Sequence, residues 1–280
     1  MTHPGRVRRS NEDVCAALLP PNAPPGSGWL LIVADGMGGH QAGGYASNTA
    51  VNALVSRLRG TPAHAFTPAR AADTLRSATE AANAQVHADA GTGDRTGMGT
   101  TLTAVIVSGP ALALAHVGDS RAYLFRDGGL AVLTTDHTWV ADRVRRGLIS
   151  QEQAATHSRR NVLTRALGVF DSVEIDSATV EIREGDVILL SSDGLHGLLP
   201  GAEIGSILGA LAPQQAAAEL VERANAAGGP DNVTAVVAHV LSTAPMTSEG
   251  DGASPDATMS GGHGIGMRLA SAVRRLSRRT

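Results

Sequence analysis

Two periods of apolar and polar residues alternate along the first 241 residues. Short apolar runs, VCAALL at 14–19 and WLLIVA at 29–34, stand on either side of the turn-forming PPNAPPGSG and read as two strands. Over 44–58 and 69–88 the apolar positions fall three and four apart, which predicts two helices. Strands at 101–107, 111–117 and 121–125 follow in hairpin rhythm. A polar, arginine-rich stretch over 136–168 reads as helical, with the glycine of NVLTRALG as its stop. Strands at 178–182 and 186–191 turn at EGD, and helices at 201–211 and 213–226 come next, the second with Pro213 at its start. NVTAVVAHVL closes this part as a buried strand.

The order is strands, two helices, strands, two helices, strand. Short turns between neighbouring strands predict mostly antiparallel sheet, and the paired helices suit the outer faces of a sheet sandwich. The fold class is therefore α+β layering, not the strict strand–helix alternation of a doubly wound sheet. After 241 the pattern fails: 242–263 is small, polar and glycine-rich and reads as a disordered linker. Residues 264–280 place Ile265, Leu269, Val273 and Leu276 among arginines, a short basic amphipathic helix able to touch an anionic surface weakly, or else a frayed tail.

Composition narrows the chemistry. With 280 residues, 42% of them hydrophobic, the chain can bury a substantial core. The net charge of -3 gives no reason to expect nucleic-acid binding. Cys15 is the only cysteine, which excludes an intramolecular disulfide and a CxxC zinc site. All 23 basic residues are arginine, so a P-loop, a kinase β3 lysine and a Schiff base are ruled out. MTHPGRVRRSNED lacks a signal peptide's apolar core and no run reaches the ~20 residues of a membrane span, so a cytoplasmic protein is expected.

Five aspartates share one context, the junction of a strand and a turn. Asp13 precedes the first apolar run and Asp35 follows the second; Asp119 and Asp193 follow strands, and Asp231 precedes the last. In an antiparallel pair the start of one strand and the end of the next share an edge, so Asp13 and Asp35 should meet. Strands oriented likewise would bring all five to one rim. Clustered carboxylates repel and need positive charge, and hard divalent cations favour such oxygen donors. The glycines of VADGMGGHQAGG (33–44) would leave room for backbone carbonyls at a metal. An aspartate before glycine is, against this, usually a plain turn. The same segment is not a dinucleotide loop, because Gln41 stands where GxGxxG needs its last glycine.

Eight stretches, in order, resemble the metal-dependent serine/threonine protein phosphatases of the PPM (PP2C-type) family in its bacterial form. They are GRVRRSNED (5–13), VADGMGGHQAGG (33–44), MGTTLTAVIV (98–107), HVGDSRAYLFRDGGL (116–130), TTDHTWVADRVRRGLIS (134–150), RNVLTRALG (160–168), LLSSDGLHGLL (189–199) and GGPDNVTAVV (228–237). The resemblance implies a four-layer α-β-β-α sandwich over 1–241, with a flap over about 136–168. It implies two Mn²⁺ or Mg²⁺ ions and a weaker third. Asp35 would bridge the pair, with the Gly36 carbonyl on one ion and Asp193 and Asp231 on the other. Glu12 and Asp13 would act at the second ion through water or in its outer shell, and Asp119 with Asp193 at the third. Arg8 matches the phosphate-binding arginine and is favoured over Arg6 and Arg9. Met37 stands where many eukaryotic relatives carry a histidine, so His40 is the candidate for orienting water or protonating the leaving group, against an ordinary loop histidine.

The implied reaction is hydrolysis of phosphoserine or phosphothreonine by a metal-activated bridging water, with no covalent phosphoenzyme. Implied partners are phosphorylated proteins, among them serine/threonine kinases, acted on by a monomer. The alternatives are a switch phosphatase dedicated to one small regulator and a catalytically silent phosphoprotein-binding module. In the flap, Arg143, Arg145, Arg146, Arg159 and Arg160 would contact substrate or, more plainly, keep a surface soluble. Thr100 and Thr101 match the family's GTT motif as structure at the start of a strand.

Overall fold

Apolar runs without alternation need cover on both faces, and the fold supplies it. The computed structural model describes residues 1–19, 28–38, 41–91, 95–243 and 267–270. In chain order the elements are β1 (Thr2–His3), β2 (Asp13–Leu18), β3 (Trp29–Met37), α1 (Gln41–Arg59), a 3-10 turn (Ala63–Phe66) and α2 (Ala71–Ala90). Then come β4 (Gly99–Thr100), β5 (Leu102–Ser108), β6 (Ala111–Val117), β7 (Arg121–Arg126), β8 (Gly129–Val132), α3 (Trp139–Arg145) and α4 (Gln151–Thr156). The remainder are β9 (Asp176–Glu181), β10 (Val187–Ser191), α5 (Asp193–His196), α6 (Gly201–Ala210), α7 (Pro213–Ala226), β11 (Val233–Val240) and β12 (Met267–Ala270).

One sheet runs β2-β3-β5-β6-β9 with β4 beside β3, and the other β1-β11-β10-β7-β8 with β12 beside β11. All the pairings are antiparallel. Along β3, Leu30, Ile32 and Ala34 turn to α1 and α2, and Leu31 and Val33 to the opposite sheet. In β10, Val187 and Leu189 face α6 and α7, whereas Ile188 and Leu190 fill the middle. The four-layer α+β sandwich is thus the observed architecture. Among the described residues no helix is long and apolar enough to cross a membrane.

The structure departs from the sequence reading in several places. β3 runs on to Met37 because β4 continues its ladder, so Asp35 and Gly36 are strand residues and not a turn. Strands β1, β4 and β8 and the short helix α5 were not foreseen; each is too short to show a period. The flap is helical only in α3 and α4. Gly147 at φ 70 breaks it, and bridges Thr138↔Leu163 and Thr100↔Leu167 demand extended backbone. In the tail, Met267–Ala270 forms a strand on the open edge of β11 where a helix was expected. An isolated helix of that length is marginal, while an open sheet edge offers backbone partners. Residues 244–266 and 271–280 of the linker and tail lie outside the described residues.

Candidate active site

Register brings the first two carboxylates together: Asp13 in β2 stands directly opposite Asp35 in β3. Asp119 sits in the turn after β6, Asp193 heads α5 just after β10, and Asp231 precedes β11. Asp35 feels the charges of Asp13, Asp193, Asp119 and Asp231, so the five aspartates share one rim. Burial, and then those four neighbours, push its carboxyl well above the usual range. Burial likewise raises Asp13 to about 7 and Asp119 to about 8, and raises Asp193, with Asp231 adding to it.

Asp13, Asp35 and Glu12 are positioned by neighbours of which the sequence reading named only Thr100 and Thr101, and those only as strand-entry structure. Asp13 Oδ2 accepts from Ser192 Oγ at 2.7 Å and Thr234 Oγ1 at 2.6 Å. Thr101 Oγ1 accepts the Asp35 N–H at 2.9 Å, and Thr100 Oγ1 donates to the Asp35 carbonyl at 2.9 Å. The two threonines therefore clamp Asp35 from both sides of its peptide, a larger role than starting a strand. Asn232 accepts the Glu12 N–H at 2.8 Å and donates to the carbonyls of Pro4 and Ser10, tying the N-terminal segment to the start of β11. Adjacency to Asp231 in GGPDN was the only signal for it.

Arg8 reaches Asp231 Oδ2 at 2.8 Å and also lies in the field of Glu12 and Asp35. Arg6 instead serves through its backbone, donating to the Gly229 carbonyl at 2.7 Å. His40 lies outside the described residues. Cys15 faces inward in β2, where burial raises its thiol. Of the flap arginines, Arg143 and Arg159 stack on Trp139 at 5.0 and 5.3 Å, and Arg145 and Arg146 pair with Asp142. The flap's root is fixed next to Asp119: His137 donates its N–H to the Gly118 carbonyl at 2.8 Å and accepts the Gly118 N–H on Nδ1 at 3.1 Å.

The residues fit divalent cations by three observations. Asp13 Oδ1 is buried with no hydrogen-bond partner, and an orphaned carboxylate oxygen is costly unless a cation takes it. Glu12, Asp35, Asp193 and Asp231 share Arg8 as a positive partner, and every donor on the rim is an oxygen. Backbone approaches closely here as well: a Cβ on Gly43 would stand 2.5 Å from Glu12 Oε2 and 2.8 Å from the Gly36 carbonyl oxygen. Among the described residues no three acidic, histidine or cysteine side chains already close on a single point. Asp231 is drawn to Arg8, and one oxygen of Asp13 to Ser192 and Thr234.

Comparison with known proteins identifies the family and the fold. The family model described as Protein phosphatase 2C matches residues 10–242. The chain is similar to the serine/threonine phosphatase stp of Listeria welshimeri, 39% identical over 84% of this chain and 92% of that protein. It is similar as well to the serine/threonine protein phosphatase PstP of Mycobacterium tuberculosis, 40% identical over 85% of this chain and 43% of that protein. A solved catalytic domain of a PstP, in complex with two manganese ions, superposes with a TM-score of 0.74 at 37% identity, covering 86% of this chain and 96% of that one.

Proposed function

The chain belongs to the protein phosphatase 2C family, and from that premise we propose that its carboxylate rim is a centre for two Mn²⁺ or Mg²⁺ ions, with room for a weaker third. The activity class, a metal-dependent serine/threonine protein phosphatase, follows from the family and its relatives. Asp35 and the Gly36 carbonyl, with Asp193 and Asp231, would hold the pair; Glu12 and Asp13 would support it, and Asp119 with Asp193 would take the third. When bound, such ions neutralise the rim and supply an activated water for attack on a phosphoester.

The protein's own part is positioning. Arg8 offers a planar fork to a phosphoryl group, exchanging its Asp231 contact for phosphate oxygens. Thr100 and Thr101 hold the Asp35 peptide still, so its carboxylate does not swing with the chain. The substrates we propose are phosphorylated proteins, including serine/threonine kinases, met by a cytoplasmic monomer. One observation carries the metal reading: a buried Asp13 oxygen without a partner, inside a rim of carboxylates that burial and mutual repulsion hold far above their usual range. Hydrolysis of a phosphothreonine peptide with Mn²⁺, with Mg²⁺ and with chelator tests it. Turnover that needs metal and disappears in Asp193→Ala is expected. A folded protein inactive with every metal would instead be a silent binding module.

A further inference from the structure

Close to the glycine-rich segment 33–44, one segment exposes apolar side chains on a backbone held by several hydrogen bonds. Leu167 pairs with Thr100 through both backbone bonds, at 3.1 and 2.9 Å, and Thr100 pairs with Gly36. Beyond it the chain turns at Gly168, φ 86, where a Cβ would strike Val86. Asn83, a buried α2 residue 2% exposed, holds the turn with its whole amide. Its Oδ1 accepts the Gly168 N–H at 2.8 Å, and its Nδ2 donates to the carbonyls of Phe170 at 3.1 Å and Asp171 at 3.0 Å. His87 Nδ1 lies 3.1 Å from the Gly168 carbonyl. This rigid turn presents Phe170, 67% exposed, and Val169, 36% exposed. Val169 and Met37 side chains both close over Gly99, so the patch is continuous with the strand that carries Asp35.

We propose that Phe170, with Val169 and Met37, is a docking subsite for an apolar side chain of the substrate protein, close in sequence to its phosphorylated residue. The proposal rests on the phosphatase reading of the rim. A phosphorylated residue on a protein brings its own chain across the rim, so the neighbouring surface must meet polypeptide. Gly36, Thr100 and Leu167 span two strand spacings, ~10 Å. Phe170 follows three residues beyond Leu167, past the turn at Gly168, so the separation is on the order of 10–17 Å, the reach of about three to five extended residues. The apolar residue therefore lies about three to five positions from the phosphorylated one. A turn held in advance loses little conformational freedom when it binds, which favours a small subsite. A second copy of the chain is a poor occupant: three partly exposed side chains fall short of the ~800 Å² per partner of a stable dimer.

The test is kcat/KM for two series of phosphothreonine peptides, carrying leucine or serine at single positions three to five residues to either side. Each protein's leucine-to-serine ratio is the readout, for the wild type, Phe170→Ser and Phe170→Leu, with melting temperature checking the fold. In the wild type one position should favour leucine by roughly tenfold or more, mainly through KM. That ratio should fall to near one in Phe170→Ser and recover partly in Phe170→Leu. A ratio near one at every position in the wild type, or one unchanged in Phe170→Ser, overturns the proposal. Concentration-dependent dimerisation lost in Phe170→Ser would overturn it in favour of a second copy. Absence of turnover of every peptide by the wild type overturns the phosphatase reading and this proposal with it.

Discussion

Arg8 and Thr101 act on the site in different ways, and single substitutions separate them. Charge-assisted bonds to a phosphate contribute about 1.5–3 kcal/mol, so Arg8→Ala should lower kcat/KM on a phosphopeptide by roughly ten- to a hundredfold. Arg9→Ala should not, because among the three neighbouring arginines it is Arg8 that reaches the carboxylate rim. Steady-state kinetics of the two variants would settle it; equal losses would mean that general positive charge, and not one fork, binds phosphate. Thr101→Val removes the buried hydroxyl that accepts the Asp35 N–H and contacts Ser120 Oγ at 2.8 Å. Leaving that N–H unpaired should cost about 1–3 kcal/mol in a denaturant titration, with turnover falling as the Asp35 peptide loosens.

Helix α1 begins inside the glycine-rich segment 33–44, and Gly43 belongs to both. Elsewhere in a helix, Gly→Ala stabilises by about 1 kcal/mol. Here the new methyl would meet Glu12 Oε2 and the Gly36 carbonyl, so Gly43→Ala should weaken Mn²⁺ binding and lower the melting temperature. A rise in melting temperature with unchanged Mn²⁺ affinity would show that the loop has slack. At this scale much of the molecule was legible from sequence. Strands buried on both faces, such as β3 and β10, announce themselves as unbroken apolar runs, and α7 by its Pro213 start. The meeting of Asp13 with Asp35 followed from hairpin geometry alone. What escaped depends on partners distant in sequence. Asn83 is a polar residue on a helix until the turn 85 to 88 residues away wraps around it. The flap over 136–168 reads as helix because its composition is polar and arginine-rich, yet its ends are tied down as extended bridges.

Over the whole molecule the buried titratable groups predict how stability varies with pH. Asp13, at about 7, and Asp119, at about 8, hold protons in the fold that the unfolded chain releases near pH ~4. Their contribution is therefore complete below the unfolded value and is lost as pH rises through 7 and 8. His116, lowered by burial to about 4, and His196, to about 3, act oppositely. They favour the fold above the unfolded value of ~6.5 and add no slope beyond it. Between pH ~6.5 and ~8 the carboxylates alone set the trend. Melting of metal-free protein should fall across that window, and saturating Mn²⁺ should remove the decline; a flat metal-free curve would contradict the raised carboxyls. Deletion of residues 242–280 should leave metal-dependent turnover unchanged, since among the described residues the rim's hydrogen-bond partners named above all lie at or before Thr234.

The central claim is that the buried carboxylate rim binds two divalent cations. Calorimetric titration of chelator-treated protein with Mn²⁺, in the wild type and in Asp13→Ala and Asp231→Ala, addresses it without any substrate. Two sites in the wild type, with at least one lost or severely weakened in the folded Asp231→Ala variant and weakened in Asp13→Ala, is the predicted result. No saturable binding by the folded wild type, or two sites unaffected by either substitution, would contradict it.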